Sequence, residues 1–348
     1  MSDAPSRDPE LRAWLESAPR EDVLEPDLEI VDAHHHLWDN VRLGNSFPYR
    51  EKRYRMDGLL EDIISGGHNV IATVYVQAGS YYRRDGPAHM RSVGEVEYVQ
   101  GVAAAADSGI YKNALGRVPR LGLGIQGSVD LKDSQCEEAL NAMRRFRNFR
   151  GVRAGGPFND AFRRGMALLQ AHGLVFDRWH HPRDAESWIA EISNLAALAR
   201  EFPKVTIVMD HLGGAVGPKM SEEGIARWKE AISDIATCEN VYCKCGGIQM
   251  KVNGFGLEAR EIPIGSEELC ELVFPWYEHA IRSFTPERCM FESNFPVDKD
   301  CVSYRTLWNT LKRVAARLGL SAEEKRAIFK GTAMKVYRLR EEGDYSAL

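Results

Sequence analysis

Three short stretches of the chain join an apolar run to side chains that bind ions or move protons. The first is Val31-Asp32-Ala33-His34-His35-His36. Alternate side chains of an extended chain share a face, so His34 and His36 point to one side and His35 to the other. Two imidazoles on one face can hold one ion or one substrate group together, and a triplet that directly follows a core run inside the chain is not an affinity tag. The second stretch, Val208-Met209-Asp210-His211-Leu212-Gly213-Gly214, offers His211, with Asp210 either beside it in the site or as a hydrogen-bonding group that orients its surroundings. Gly213 and Gly214 let the backbone turn sharply there. The third runs from Met290 to Asp298, where parity puts Glu292 and Asn294 on one face and Asp298 in the loop that follows. Imidazoles and carboxylates are the residue types of general acid-base hydrolysis and of divalent-metal sites.

Such distant residues meet only if a scaffold gathers strand ends. Short β-branched runs at 28–33, 70–78, 120–129, 151–154, 173–179, 205–210, 240–245 and 288–293 alternate with segments whose apolar residues recur at helical spacing. Examples are Trp188, Ile189, Ile192, Leu195 and Leu198, or Leu307, Trp308, Leu311 and Leu318. Eight such units predict an α/β protein with a (β/α)8 TIM barrel, whose sites form at the C-terminal rim of the strands. An open doubly wound sheet is the rival, but the glycine fingerprint for a dinucleotide is missing after the first run, where the histidines stand. Residues 1–27 read as an N-terminal arm ahead of a barrel domain at 28–348. Residues 79–115 form a long excursion after the second strand, and its Tyr81, Tyr82, Arg83 and Arg84 either cover the pocket or make an exposed polar loop.

Other polar groups stand on otherwise apolar strands. Gln77 ends the second, where it could hydrogen-bond a substrate. Arg153 ends the fourth and Lys244 lies on the seventh; each either anchors a substrate carboxylate or neutralises interior acids. His181 shares a face with Asp177 and Trp179 and reads as pocket lining, while His68, His89, His172 and His279 read as solvated. The 348 residues are 44% hydrophobic and 27% charged, which excludes disordered, collagen-like and membrane classes. A net charge of -5 gives no field for nucleic acid. With no long apolar run and a polar N-terminus, the expectation is a cytoplasmic protein acting on a small molecule, with a homodimer left open. Seven cysteines read as reduced thiols; Cys243 and Cys245 lack the second pair a zinc finger needs.

The three stretches in this order, with Gly151-Val152-Arg153, His181-Pro182, Tyr242-Cys243-Lys244-Cys245-Gly246 and Ser293-Asn294-Phe295-Pro296, resemble the amidohydrolase superfamily. The resemblance runs from Glu29 to Tyr337 and is to the lactonase-like branch that includes fuconolactonase and 2-pyrone-4,6-dicarboxylate lactonase. It implies a hydrolytic centre around His34, His36 and His211, with one divalent ion held there, zinc or manganese, or with no metal, as in some lactonases of the branch. Where the superfamily usually carries a strand-eight aspartate as ligand and base, this chain has Asn294, and an amide cannot take a proton from water. Glu292 from one layer deeper, Asp298 from the loop, or no base on that strand are the options. Parity favours Glu292, with pairing to Lys244 or Arg153 as its structural alternative. The function expected is the opening of a lactone or similar small carboxylated substrate by water. A metal-dependent decarboxylase of an aromatic or muconate-type acid and a non-catalytic binder that lost its base at Asn294 are the alternatives.

Overall fold

The computed structural model describes residues 8–113, 115–179, 185–214 and 217–340. Eight strands form one parallel sheet, hydrogen-bonded in chain order: β1 (Ile30–His35), β2 (Val70–Val76), β3 (Arg120–Gly127), β4 (Phe149–Arg153), β5 (Val175–Arg178), β6 (Ile207–Met209), β7 (Val241–Cys245) and β8 (Cys289–Phe291). The end of β8 returns to β1 through a bridge between His35 and Phe295. At this seam Asn294 N donates to His34 O at 2.8 Å and His36 N to Phe295 O at 2.7 Å. The result is the (β/α)8 barrel that the alternating pattern predicts, and the open sheet is excluded.

A helix follows every strand, beginning with Met56–Gly66 after β1 and ending with Tyr304–Arg317 after β8. Side-chain caps start several of them: Asn159, Ser221 and Ser303 each accept a backbone N–H of the first turn. The apolar stripes at helical spacing, Trp188, Ile192 and Leu195 among them, pack with outward strand residues such as Ile207 and Val241 in the main core. Inside the barrel Val31, Ala33, Val74, Val175, Val208 and Met290 form a second cluster, and Ala333, Val336, Tyr337 and Leu339 complete it. Residues 333–339 therefore plug the N-terminal mouth of the barrel, a role that the sequence does not announce.

Strict alternation from Val31 would turn His35 inward. Instead Asp32 pairs with Thr73 and His35 with Tyr75, three residues of β1 against two of β2. This bulge shifts the pleat by one residue. His35 consequently faces out, with Nε2 2.8 Å from Thr73 Oγ1, and His34 and His36 face in.

Ahead of β1, the helix Pro9–Glu16 is held to the loop after β7, where Trp14 Nε1 donates to Arg260 O at 2.9 Å. The 79–115 excursion contains the barrel helix Val93–Asp107, and Glu95 Oε1 ties down its start by accepting from Ala78 N and Ser80 N. No described helix is long and apolar enough to cross a membrane, and all seven cysteines are free and buried.

His68, expected in solvent, is buried. Lys312 Nζ donates to its Nδ1 at 2.9 Å and also to Leu24 O and Glu25 O, so the pair fastens the arm to the barrel. Burial and the Lys312 charge push the His68 pKa down from 6.5 to about 3. The unfolded chain binds a proton there below 6.5 and the folded protein only near 3, so stability is lost as pH falls through that window, by up to about 1.4 kcal/mol per pH unit for this group. His35, also pushed to about 3, adds to the slope. His68→Gln, whose amide oxygen can still accept from Lys312, should flatten the acid fall in melting temperature read by tryptophan fluorescence; an unaltered slope would contradict the assignment.

Candidate active site

The C-terminal ends of β1, β6 and β8 bring His34, His211 and Glu292 together beneath the rim. Glu292 Oε1 lies 2.6 Å from His211 Nδ1 and its Oε2 2.9 Å from His34 Nδ1. On the other side of His34, Nε2 is 3.1 Å from His36 Nε2, and His36 Nδ1 is 2.7 Å from Val76 O. A carbonyl only accepts, so His36 carries its proton on Nδ1 and His34 donates to it from Nε2. His34 Nδ1 is then a lone pair, and Lys244 Nζ, 3.3 Å away, can donate to it. Lys244 is itself held by Asp177 Oδ2 at 2.8 Å and Asp210 Oδ1 at 3.2 Å, all three side chains being fully buried.

Two backbone features aim this cluster. His211 sits in the left-handed region at φ 55°, followed by Leu212, Gly213 and Gly214 also at positive φ, and Asn294 adopts φ 54°. Non-glycine residues rarely hold that conformation, and it concentrates at functional sites. After β7, Gly246 and Gly247 run against the pair: an added Cβ would come within 2.3 Å of Glu292 Cγ and 2.2 Å of His211 Nδ1, respectively.

Burial dominates the electrostatics. It pushes Glu292 up to about 8, with Lys244 and Arg153 pulling the other way, and holds Asp210 at about 6. Desolvation pushes His211 down to about 3 and His34 and His36 well below the usual imidazole range, so all three rings are neutral at neutral pH. Burial alone would lower Lys244, but Asp177, Asp210 and Glu292 leave it raised and charged.

Above the cluster lies a cavity of about 130 Å³. His36, His211, Arg153 and Asn294 are its polar lining; Trp38, Phe47, Tyr49, Trp179 and Met250 make most of the apolar wall. Trp38 stacks on Tyr49 with ring centroids 5.3 Å apart and on His36 at 6.0 Å, and Trp179 stands edge-on to His211 at 6.0 Å. A larger hollow of about 340 Å³ between the arm and Tyr304 contains no histidine and lies apart from this chemistry.

The structure thus brings His34, His36, His211 and Glu292 together but rearranges their relations. Among the described residues, the side chains whose donor atoms fall within 4.8 Å of one another are His34, His211 and Glu292. Glu292 lies under the imidazoles and does not line the cavity, which it adjoins through His211. Asp298 does not fold back into the cavity; it is buried and accepts from Asn294 Nδ2 at 3.3 Å. Lys244 neutralises interior acids, and the Gln77 side chain is not part of the lining, although its backbone O accepts from Arg153 Nη2. Arg153 lines the cavity, 3.8 Å from Asp210. His181 lies outside the described residues. Nothing in the sequence alone singles out the aromatic wall, although Trp38, Phe47 and Tyr49 come soon after the histidine triplet; the cavity is roofed by that segment, and no described residue of 79–115 lines it.

An ion fits this donor set. Glu292 Oε2 and His34 Nδ1 face each other at 2.9 Å outside hydrogen-bond alignment, so their lone pairs repel unless a proton or a cation lies between them. Imidazole with carboxylate suits zinc or manganese.

Known proteins fix the family. The amidohydrolase profile matches residues 31–339, from the first strand to the plug. The chain belongs to the amidohydrolase family. This amidohydrolase is 27% identical to protein y4mH of Sinorhizobium fredii over 90% of its own length and 99% of that protein's. It is 26% identical to an L-fucono-1,5-lactonase of Burkholderia multivorans, covering 90% of this chain and 97% of the relative. Among solved structures, a zinc-bound amidohydrolase of Burkholderia multivorans superposes with a TM-score of 0.68 at 23% identity, covering 89% and 99% of the two chains. A Pseudomonas putida protein assigned by name alone to 2-pyrone-4,6-dicarboxylic acid hydrolysis does so with 0.58 at 17%, covering 90% and 99%. These structural likenesses speak for the fold.

Gly247→Ala offers a direct check on the geometry. The methyl group would displace the His211 ring, and an error of about 1 Å in such a group costs roughly a hundredfold in rate. Turnover should fall by that order while the protein still melts cooperatively; full activity would mean that His211 is not held as described.

Proposed function

We propose that this amidohydrolase opens a lactone ring by water attack, with His211 as the proton acceptor. The observation that carries the reading is the Glu292 carboxyl set between His34 and His211 under a small aromatic-walled cavity. Curated relatives named for L-fucono-1,5-lactone and L-rhamnono-gamma-lactone hydrolysis support the substrate class.

His211 keeps its Nδ1 proton on Glu292 Oε1, which leaves the Nε2 lone pair for a molecule in the cavity. As water bonds to the ring carbonyl carbon, Nε2 takes the proton, and the Glu292 oxygen that accepts the Nδ1–H holds the resulting imidazolium in place. The carbonyl oxygen gains negative charge, and Arg153, the cation of the cavity lining, faces it. When the ring C–O bond breaks, the proton on His211 passes to the leaving alkoxide, giving the open hydroxy acid. His36 holds His34 in one tautomer, and the aromatic wall excludes bulk water. His34, His211 and Glu292 would hold a divalent ion, which when bound polarises the carbonyl and acidifies water, with His211 then serving as ligand.

The test is hydrolysis of a lactone panel, including fuconolactone, rhamnonolactone and 2-pyrone-4,6-dicarboxylate, followed by proton release. Wild-type protein should open at least one of them, and His211→Ala should lose about a thousandfold. An unaltered rate in His211→Ala, or no turnover of any lactone, would sink the reading. Chelator treatment separates the two routes: turnover that survives it belongs to His211 as base, whereas turnover lost and then restored by zinc or manganese belongs to the ion-loaded cluster.

A further inference from the structure

The plug in the N-terminal mouth of the barrel carries one polar atom upward. Ala333, Val336 and Leu339 are apolar, but Tyr337 is fully buried and its Oη donates to Asp177 Oδ2 at 2.9 Å. That same oxygen accepts from Lys244 Nζ at 2.8 Å. Asp177 Oδ1 has no hydrogen-bond partner among the described residues, so the two donors on Oδ2 are what fixes the carboxylate. Lys244 Nζ also lies 5.4 Å from the centre of the Tyr337 ring and 3.3 Å from His34 Nδ1.

An apolar plug has no need of a hydroxyl, since phenylalanine fills the same space. A lysine is a long flexible side chain, and holding its ammonium under one imidazole nitrogen needs contacts from more than one direction. We infer that Tyr337 is a positioning residue: its hydroxyl fixes Asp177, its ring lies against the ammonium, and together they set Lys244 beneath His34. The C-terminal segment thereby reaches the centre at the opposite end of the barrel through two side chains. The kinetic consequence rests on the lactonase reading above; the placement of Lys244 does not.

The experiment uses the full chain with Tyr337→Phe, which keeps the ring, and Tyr337→Leu, which removes both contacts. Two readouts are taken: steady-state kinetics per folded molecule, and the imidazole 15N shifts of His34, assigned with His34→Asn and compared with those of distant His279. In Tyr337→Phe, kcat should drop about tenfold with KM unchanged, as expected for one hydrogen bond to a charged group, and the His34 signal should move while His279 stays. Tyr337→Leu should lose more. In an Asp177→Asn background, Tyr337→Phe should add little. Unchanged kcat with an unmoved His34 signal overturns the inference, as does a loss carried by KM or one explained wholly by less folded protein. Should wild-type protein open no lactone, the functional reading fails, and the His34 shift alone decides: movement supports the positioning role and its absence overturns it.

Discussion

A carboxyl group that no water reaches governs this site. Glu292 is completely buried, and burial disfavours its ionised form strongly enough to raise its pKa to about 8. What replaces water around it is two imidazoles, each within hydrogen-bonding distance of one oxygen, and the field of Lys244 behind them. Much of the local architecture follows from keeping those partners close. Gly246 and Gly247 have no side chain because any Cβ would strike Glu292 or His211, and His211 accepts a left-handed backbone in order to turn its ring onto the carboxyl.

The barrel itself serves the same end, because its seam runs through the site. β1 and the chain leaving β8 meet where Asn294 N donates to His34 O, so the join falls at His34 itself and two residues past Glu292. Closure and placement of the donors are therefore one event. The bulge in β1 supports this: without the extra residue, His35 would face the interior and its neighbours would face the helices. Outward-facing Asp32 secures the arrangement from behind, accepting from Ser293 N at 2.8 Å and from Tyr304 Oη at 3.0 Å.

The sequence made the barrel legible because eight strand runs and their helices keep separate periods, two and about 3.6, which local physics alone dictates. It made His34, His36, His211 and Glu292 legible because strand parity is short-ranged. Parity within the triplet was right for a reason it could not supply, since only pairing with β2 reveals the bulge. Long-range facts stayed hidden. Whether Lys244 meets a substrate or Asp177 depends on strands 67 residues apart in the chain. His68 reads as a polar residue in a turn until Lys312 and the arm close over it. The plug at 333–339 carries its apolar residues at helical spacing, yet spacing cannot say that they enter the barrel from below.

The charge balance of the interior explains why one donor set is compatible with two modes of working. Asp177, Asp210 and Glu292 face two cations, Lys244 and Arg153, while the three imidazoles stay neutral. Were every acid ionised, one negative charge would remain uncompensated in a space that water does not enter, a costly state. A proton on Glu292 removes that charge; a divalent ion between His34, His211 and Glu292 also ends the negative excess, leaving one positive charge in its place. The two occupants exclude each other, because the ion needs the carboxylate that the proton neutralises. Ion uptake must then expel the Glu292 proton, and affinity rises as pH rises toward the carboxyl's elevated pKa. Asn294 belongs to the same balance: an aspartate there would add a further buried negative charge beside Asp298, which the neutral amide avoids.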